Sequence, residues 1–123
     1  MLQGFLGNAR EVDVAALQQD LDSLLVDGEQ VLRAFKILRD LFIFTNQRLI
    51  LIDKQGITGR KAEYHSIPYK SISHFSVETA GSFDADAEMK IYISGNPVPI
   101  EREFKRGTDI VSVQKTLADH ILG

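Results

Sequence analysis

The sequence predicts a mainly β domain in which seven short antiparallel strands curl into a barrel or sandwich, with one amphipathic helix before them and another closing the end. Three observations carry this. Apolar residues recur at spacings of three and four only near the two ends of the chain, around residues 8–26 and 108–122. Between them, short apolar runs follow one another through turn residues, so neighbouring strands must be largely antiparallel. At 123 residues the chain is one domain by length and buries enough surface to fold without a staple.

The leading helix is expected from Asn8 to Val26. Val14, Leu17, Leu21, Leu24 and Leu25 line one side, and Gln18, Gln19, Asp20, Asp22 and Ser23 fill the other. Asn8 or Asp13 can cap it, and Asp27-Gly28 ends it. Its outer face is acidic, which argues against a membrane-surface helix. In the first strand, Glu29 to Leu38, Val31, Phe35 and Ile37 share a parity, and Arg39-Asp40 turns into the most apolar stretch of the chain.

That stretch, Leu41 to Asp53, reads as a hairpin with a tight turn at Asn46-Gln47, where asparagine tolerates positive φ. A strand with one wet face alternates apolar with polar, but here both parities are apolar. Phe42 and Phe44 oppose Leu41 and Ile43, and Leu49 and Leu51 oppose Ile50 and Ile52. One face belongs to the core, and the other needs a helix or another subunit. Arg48 and Asp53 mark the ends of the second strand.

After the turn Asp53–Gly56, Thr58 to Ile67 is a more polar strand with Ala62 and Tyr64 on one side, broken by Pro68. In Lys70 to Thr79 the apolar parity switches between Ile72 and Phe75, which calls for a bulge near Ser73-His74. Glu88 to Ser94 puts Met89, Ile91 and Ile93 inward, and Pro97 to Phe104 returns as an edge strand. Thr108 is expected to cap a closing helix whose stripe is Ile110, Val113, Leu117 and Ile121. Residues 1–27 form the leading segment, and 28–123 the barrel and its helix.

Composition excludes several function classes. Without cysteine there are no disulfides, thiolate metal sites or cysteine nucleophiles. Met1–Gly7 lacks a basic n-region, and no apolar run approaches a membrane span, so a soluble cytoplasmic protein without stable membrane insertion is expected. The net charge of −3 hides a segregation. Residues 1–29 hold one base and six acids, 30–62 seven bases and two acids, and the remainder six bases and nine acids. Such alternation can make one patch complementary to another on a neighbouring copy. Negative total charge and few aromatics on wet parities argue against nucleic acid.

The order of elements is that of the pleckstrin-homology topology. In its residues the chain resembles the bacterial pleckstrin-homology-like family, once known only as a domain of unknown function. The matching pieces are Gly28-Glu29, Arg39-Asp40-Leu41, Phe44-Thr45-Asn46-Gln47-Arg48-Leu49-Ile50, Asp53–Gly59, Ser66–Ile72, Phe75–Gly81, Glu88–Ile91 and Ile93-Ser94-Gly95. The chain has no tryptophan, unlike the last helix of the eukaryotic domains. The resemblance implies a seven-stranded, strongly bent antiparallel barrel capped by the C-terminal helix, with the N-terminal amphipathic helix as an addition. It also implies ring-like homo-oligomers and no established enzymatic activity.

Little in the residues supports catalysis, a metal or a cofactor. His65, His74 and His120 lack metal-ligand spacing, and no GxSxG elbow occurs. Gly56-Ile57-Thr58-Gly59 has no following helix and reads as a turn, not a phosphate loop. Asp84, Asp86 and Glu88 alternate and could recruit a hard cation, but a solvated acidic loop is the favoured reading. The expected function is therefore a self-assembling, protein-binding scaffold whose partner is itself or an unidentified protein. Leu41, Ile43, Ile50 and Ile52 are its candidate oligomer contact. The alternative is a weak anionic ligand or acidic lipid headgroup at Lys36, Arg39, Lys54, Arg60 and Lys61, which the barrel topology brings toward one mouth.

Overall fold

The computed structural model describes residues 10–11, 13–37, 40–55 and 61–123, with side chains for all of these except 10, 11, 54 and 55. Eight strands and two helices run in the order β1 (Arg10–Glu11), α1 (Val14–Asp20), β2 (Val31–Ile37), β3 (Asp40–Thr45), β4 (Arg48–Gln55), β5 (Lys61–Pro68), β6 (Ile72–Thr79), β7 (Ala87–Ile93), β8 (Ile100–Phe104) and α2 (Ile110–Leu122). A 3₁₀ turn, Tyr69–Ser71, joins β5 to β6. The strands form two antiparallel sheets, β1-β2-β3-β4-β5 and β6-β7-β8, instead of one closed barrel. β1, not foreseen from the sequence, is a two-residue strand at the edge of the first sheet, with Arg10 opposite Lys36, in the span expected to be helical.

The main core lies between the sheets. Phe35, Phe42, Phe44, Leu49 and Leu51 from the first meet Met89, Ile91 and Phe104 from the second, and α2 inserts Ile110, Val113 and Leu117. Phe42 and Phe104 touch edge to face at 5.7 Å across the gap. At one rim of the gap, Arg102 Nη2 on β8 donates to Asp53 Oδ2 on β4 at 2.8 Å. Asp53 thus ties the sheets together as well as marking the end of a strand.

A second core sits on the opposite face of β2-β3-β4. There Val31, Ala34, Ile43, Ile50 and Ile52 are buried beneath Leu17 and Leu21, with Val14, Leu24 and Leu25 packed around them. The segment above them is helical only over Val14–Asp20, shorter than the periodicity suggests. Asp13 caps it, its carboxylate accepting from the backbone N–H of Ala15 at 3.0 Å and Ala16 at 3.4 Å; Asn8 lies outside the described residues. Leu21 to Leu25 continue as turns that keep the leucines facing down.

Two local expectations change. Val31 does not share the face of Phe35 and Ile37, because a register shift between Val31 and Arg33 moves it to the second core. The closing helix is capped by Asp109, which accepts from Ser112 N at 3.2 Å, while Thr108 is buried beside it. The expected start of the fourth long strand at Thr58 lies outside the described residues, within which that strand begins at Lys61. The shift foreseen near Ser73 is present, between Ile72 and His74.

Candidate functional site

The motif residues Gly28-Glu29 and Thr45-Asn46-Gln47-Arg48 lie far apart in the chain and meet at the turn of the β3–β4 hairpin. The Glu29 side chain is fully buried. One oxygen accepts from Thr45 Oγ1 at 2.7 Å and Arg48 Nε at 2.8 Å, and the other from Arg48 Nη2 at 2.9 Å and Val26 N at 3.0 Å. Arg48 also donates to the Leu24 carbonyl at 3.0 Å and to Ser66 Oγ at 2.8 Å. The guanidinium fork therefore bridges three segments, which lysine could not do.

Around this pair the turn is zipped to the leading segment. Asn46 Nδ2 donates to the Gly28 carbonyl at 3.1 Å, and its Oδ1 accepts from Gln30 N at 2.8 Å. Gln18 of α1 donates to the Glu29 carbonyl and accepts from Val31 N at 2.7 Å. The Tyr69 hydroxyl donates to the Thr45 carbonyl at 2.7 Å, and burial pushes its pKa up. The charge-assisted hydrogen bond from Arg48 holds the Glu29 carboxyl at about 2, below its ordinary 4.5. Burial opposes that shift, and the bonds from Thr45 and Val26 assist it. The sequence reading gave Arg48 only the end of a strand, whereas it is half of a latch that fastens α1. The available signal was an acid next to Gly28 and a base in the hairpin motif.

The latch leaves little room for chemistry, so the accessible surfaces are the candidates for function. The apolar outer face of the hairpin does not stand open. Ile43 and Ile50 are sealed under α1 and Ile52 is buried, so the leading helix supplies, within the same chain, the cover that a second subunit would otherwise provide. This corrects the expectation that those isoleucines form an exposed oligomer contact. Among the described residues, the edge of that face is the part that emerges.

The emerging edge is one register row: Lys36 on β2 faces Leu41 on β3, Leu41 faces Ile52 on β4, and Ile52 faces Tyr64 on β5. Leu41 is half-buried, Lys36 is exposed and Tyr64 is 54% exposed. Half-buried Ala62 follows, in register with Lys54. An open dent lined by Asp20, Leu21, Ser23, Leu24 and Tyr64 runs along the side of α1. The strip is thus a short apolar surface with a basic flank.

Of the five candidate anion contacts, Lys36 and Lys61 are exposed, Lys54 is placed by its backbone register, and Arg39 and Arg60 lie outside the described residues. Because β2 and β4 run the same way in the antiparallel sheet, the last residues of β2 and β4 and the first residues of β5 lie at the same end. Lys36 near the end of β2, Lys54 near the end of β4 and Lys61 at the start of β5 therefore belong to one end of the first sheet.

Two of the three histidines stack on tyrosines. His120 stacks on Tyr69 at 4.4 Å and its Nδ1 lies 2.9 Å from the Thr116 carbonyl, while His65 is half-buried in β5. Exposed His74 stacks on Tyr92 at 4.2 Å, with Ser73 Oγ 3.1 Å from its Nδ1, in an open dent beside Ser94–Pro97. Asp84 accepts from the Ser82 hydroxyl and Asp86 from Arg106 N, so both carboxylates order their loop.

The chain matches the bacterial PH domain family over residues 1–121. It is 56% identical over 118 residues to the uncharacterized protein YjqA of Bacillus subtilis, covering 95% of this chain and 94% of that one. Among solved structures it is similar to the pleckstrin homology domain of Shewanella amazonensis, with a TM-score of 0.86, 59% identity and 94% of each chain covered. It is likewise similar to a protein with a pleckstrin-homology domain from Shewanella loihica, with a TM-score of 0.80, 56% identity, and 94% of this chain and 98% of that one covered.

Proposed function

The chain belongs to the bacterial PH domain family, and from that premise we propose that it is a non-catalytic cytoplasmic module that binds copies of itself to form a ring-like scaffold. The observation that supports this best is the row Lys36, Leu41, Ile52 and Tyr64, where the second apolar core runs out from under α1 and ends on an exposed tyrosine. A partly covered apolar strip with an aromatic anchor and a charged rim has the makeup of a protein interface core and rim. A groove enclosing a small molecule would look different.

Size-exclusion chromatography with light scattering tests the reading. At about 50 μM, where a contact of micromolar strength is nearly saturated, the protein is expected as a multi-subunit species. Tyr64→Asp is expected to shift it to smaller species without lowering its thermal midpoint, since Tyr64 is 54% exposed. A wild-type monomer at that concentration would overturn the proposal.

A second reading, binding of an anion or acidic lipid headgroup, rests on the basic positions gathered at one end of the first sheet. It predicts cosedimentation with phosphatidylserine vesicles at low salt that fades above about 0.15 M and is lost in Lys36→Glu/Lys61→Glu. Absence of cosedimentation at low salt removes it.

A further inference from the structure

The second sheet has an edge that no other strand closes among the described residues. Strand β6 pairs with β7 on one side and with no strand on the other. From His74 to Thr79 its register with β7 is unbroken, so every second residue there turns its N–H and C=O away from the sheet. The other edges are blunted. β1 is two residues long, β5 begins at Lys61 and ends on Pro68, and β8 is short, charged and preceded by Pro97 and Pro99. β6 is eight residues long and has no proline, lysine or arginine.

The two sides of that edge differ. On the core side Phe75 and Val77 are half-buried, whereas the residues beside them on β7, Ile91 and Met89, are 1% and 0% exposed. The apolar core therefore reaches the edge without being sealed there. On the outer side stand exposed His74, Ser76 and Glu78. Glu78 faces Glu88 on β7, and Glu88 faces Glu103 on β8, so three carboxylates lie directly across neighbouring strands. Lys105 approaches Glu103 at 3.7 Å, and among the described residues no base pairs with Glu78 or Glu88. Like charges in direct register destabilise a sheet, and an opposite charge on a neighbouring strand relieves them.

We infer that the free edge of β6 binds an extended segment of another protein as an added antiparallel strand. The chemistry of that segment follows from the two sides of the edge. Apolar residues belong beside Phe75 and Val77, where they close the core, and a lysine or arginine belongs beside Glu78, where it relieves the glutamate row. An antiparallel partner therefore carries a base, an apolar residue, a polar residue and a second apolar residue in succession from its N-terminal side. Backbone hydrogen bonds supply the affinity and the alternate side chains the specificity. Charge complementarity at Glu78 selects such a segment over an acidic one. The edge belongs to the second sheet and the Lys36–Tyr64 strip to the first, so the two contacts stand or fall separately.

Amide spectra of the isotope-labelled full chain, titrated to about 2 mM with the end-blocked peptide Ser-Thr-Lys-Val-Thr-Val-Thr-Ser, decide the matter, since millimolar affinity is the weakest that counts as binding. Shifts should move along β6, and alternate amide protons of His74–Thr79 should exchange at least tenfold more slowly. N-methylation of one alternate set of peptide residues should abolish both effects, and N-methylation of the other set should spare them, because only one set turns its N–H toward β6. Replacing the peptide lysine with glutamate should weaken binding about fivefold, the size of one cross-strand charge pair. Glu78→Lys in the protein should reverse that preference with the fold unchanged, as expected of an exposed residue. No change at β6 up to that concentration, changes centred on another element, or an unaltered preference in Glu78→Lys would overturn the proposal. Shifts along β6 that grow with protein concentration alone would give the edge to a second copy and overturn it likewise.

Discussion

Glu29→Ala is expected to destabilise the protein by about 3–5 kcal/mol, among the largest effects of any single substitution of a polar residue here, because it leaves the Arg48 guanidinium and the Thr45 hydroxyl without their acceptor. Arg48→Ala should cost a comparable amount by stranding a fully buried carboxylate. Glu29→Met/Arg48→Met should cost much less than the two single changes together, since neither charge is then left unpaired. Urea unfolding measures all three, and additive losses would mean that the pair is not the unit described.

The same pair sets an acid limit. Its carboxyl has a pKa of about 2 in the folded chain against 4.5 ordinarily. A depressed carboxylate stabilises the fold fully above the unfolded value, and the contribution, on the order of 3 kcal/mol, is lost as pH falls from about 4.5 through about 2. Stability measured from pH 5 down to pH 2 should fall more steeply for the wild type than for the double methionine variant. Equal slopes would show that other carboxylates carry the acid sensitivity.

Ile50→Asp is expected to abolish folding. Ile50 is 0% exposed, lies across from Ile43 and is roofed by α1. An unpaired carboxylate there costs well over about 4 kcal/mol, a large part of the roughly 5–15 kcal/mol that holds a domain together. Ile50→Ala, which adds no charge, should lose about 2–5 kcal/mol and stay folded. Tyr64→Asp, on the adjacent strand β5 in the neighbouring row, should stay folded and act on assembly alone. Circular dichroism and amide proton spectra separate these outcomes. A folded Ile50→Asp protein that merely dissociates would return the outer face of the hairpin to the subunit interface.

The contrast between Ile50 and Tyr64 shows where sequence reading reaches its limit. Two apolar parities in Leu41–Ile52 require that both faces of the hairpin be covered, and each is. Periodicity cannot say whose helix does the covering, since a leucine stripe on residues 14–25 fits its own sheet and a neighbour's equally well. The polar ties of Gln18, Arg48 and Asn46 decide it by fixing α1 over its own β2–β4. Likewise the alternation in Glu29–Leu38 placed Phe35 and Ile37 correctly but misplaced Val31, because one bulge reverses every side chain before it.

The sequence alone determined the order of the seven longer strands and the two helices, the hairpin at Asn46-Gln47, the shift near Ser73, the segregation of charge and membership in the family. All of these are written in local patterns or in contiguous motifs. The tertiary structure alone decided that the strands form two sheets, that Glu29 and Arg48 are one latch, and that Glu78, Glu88 and Glu103 stand in a single row. Each depends on register between residues distant in the chain. Register is set by packing and hydrogen bonds summed over whole strands, and a one-dimensional pattern fixes which face a residue takes but not which neighbour it meets there.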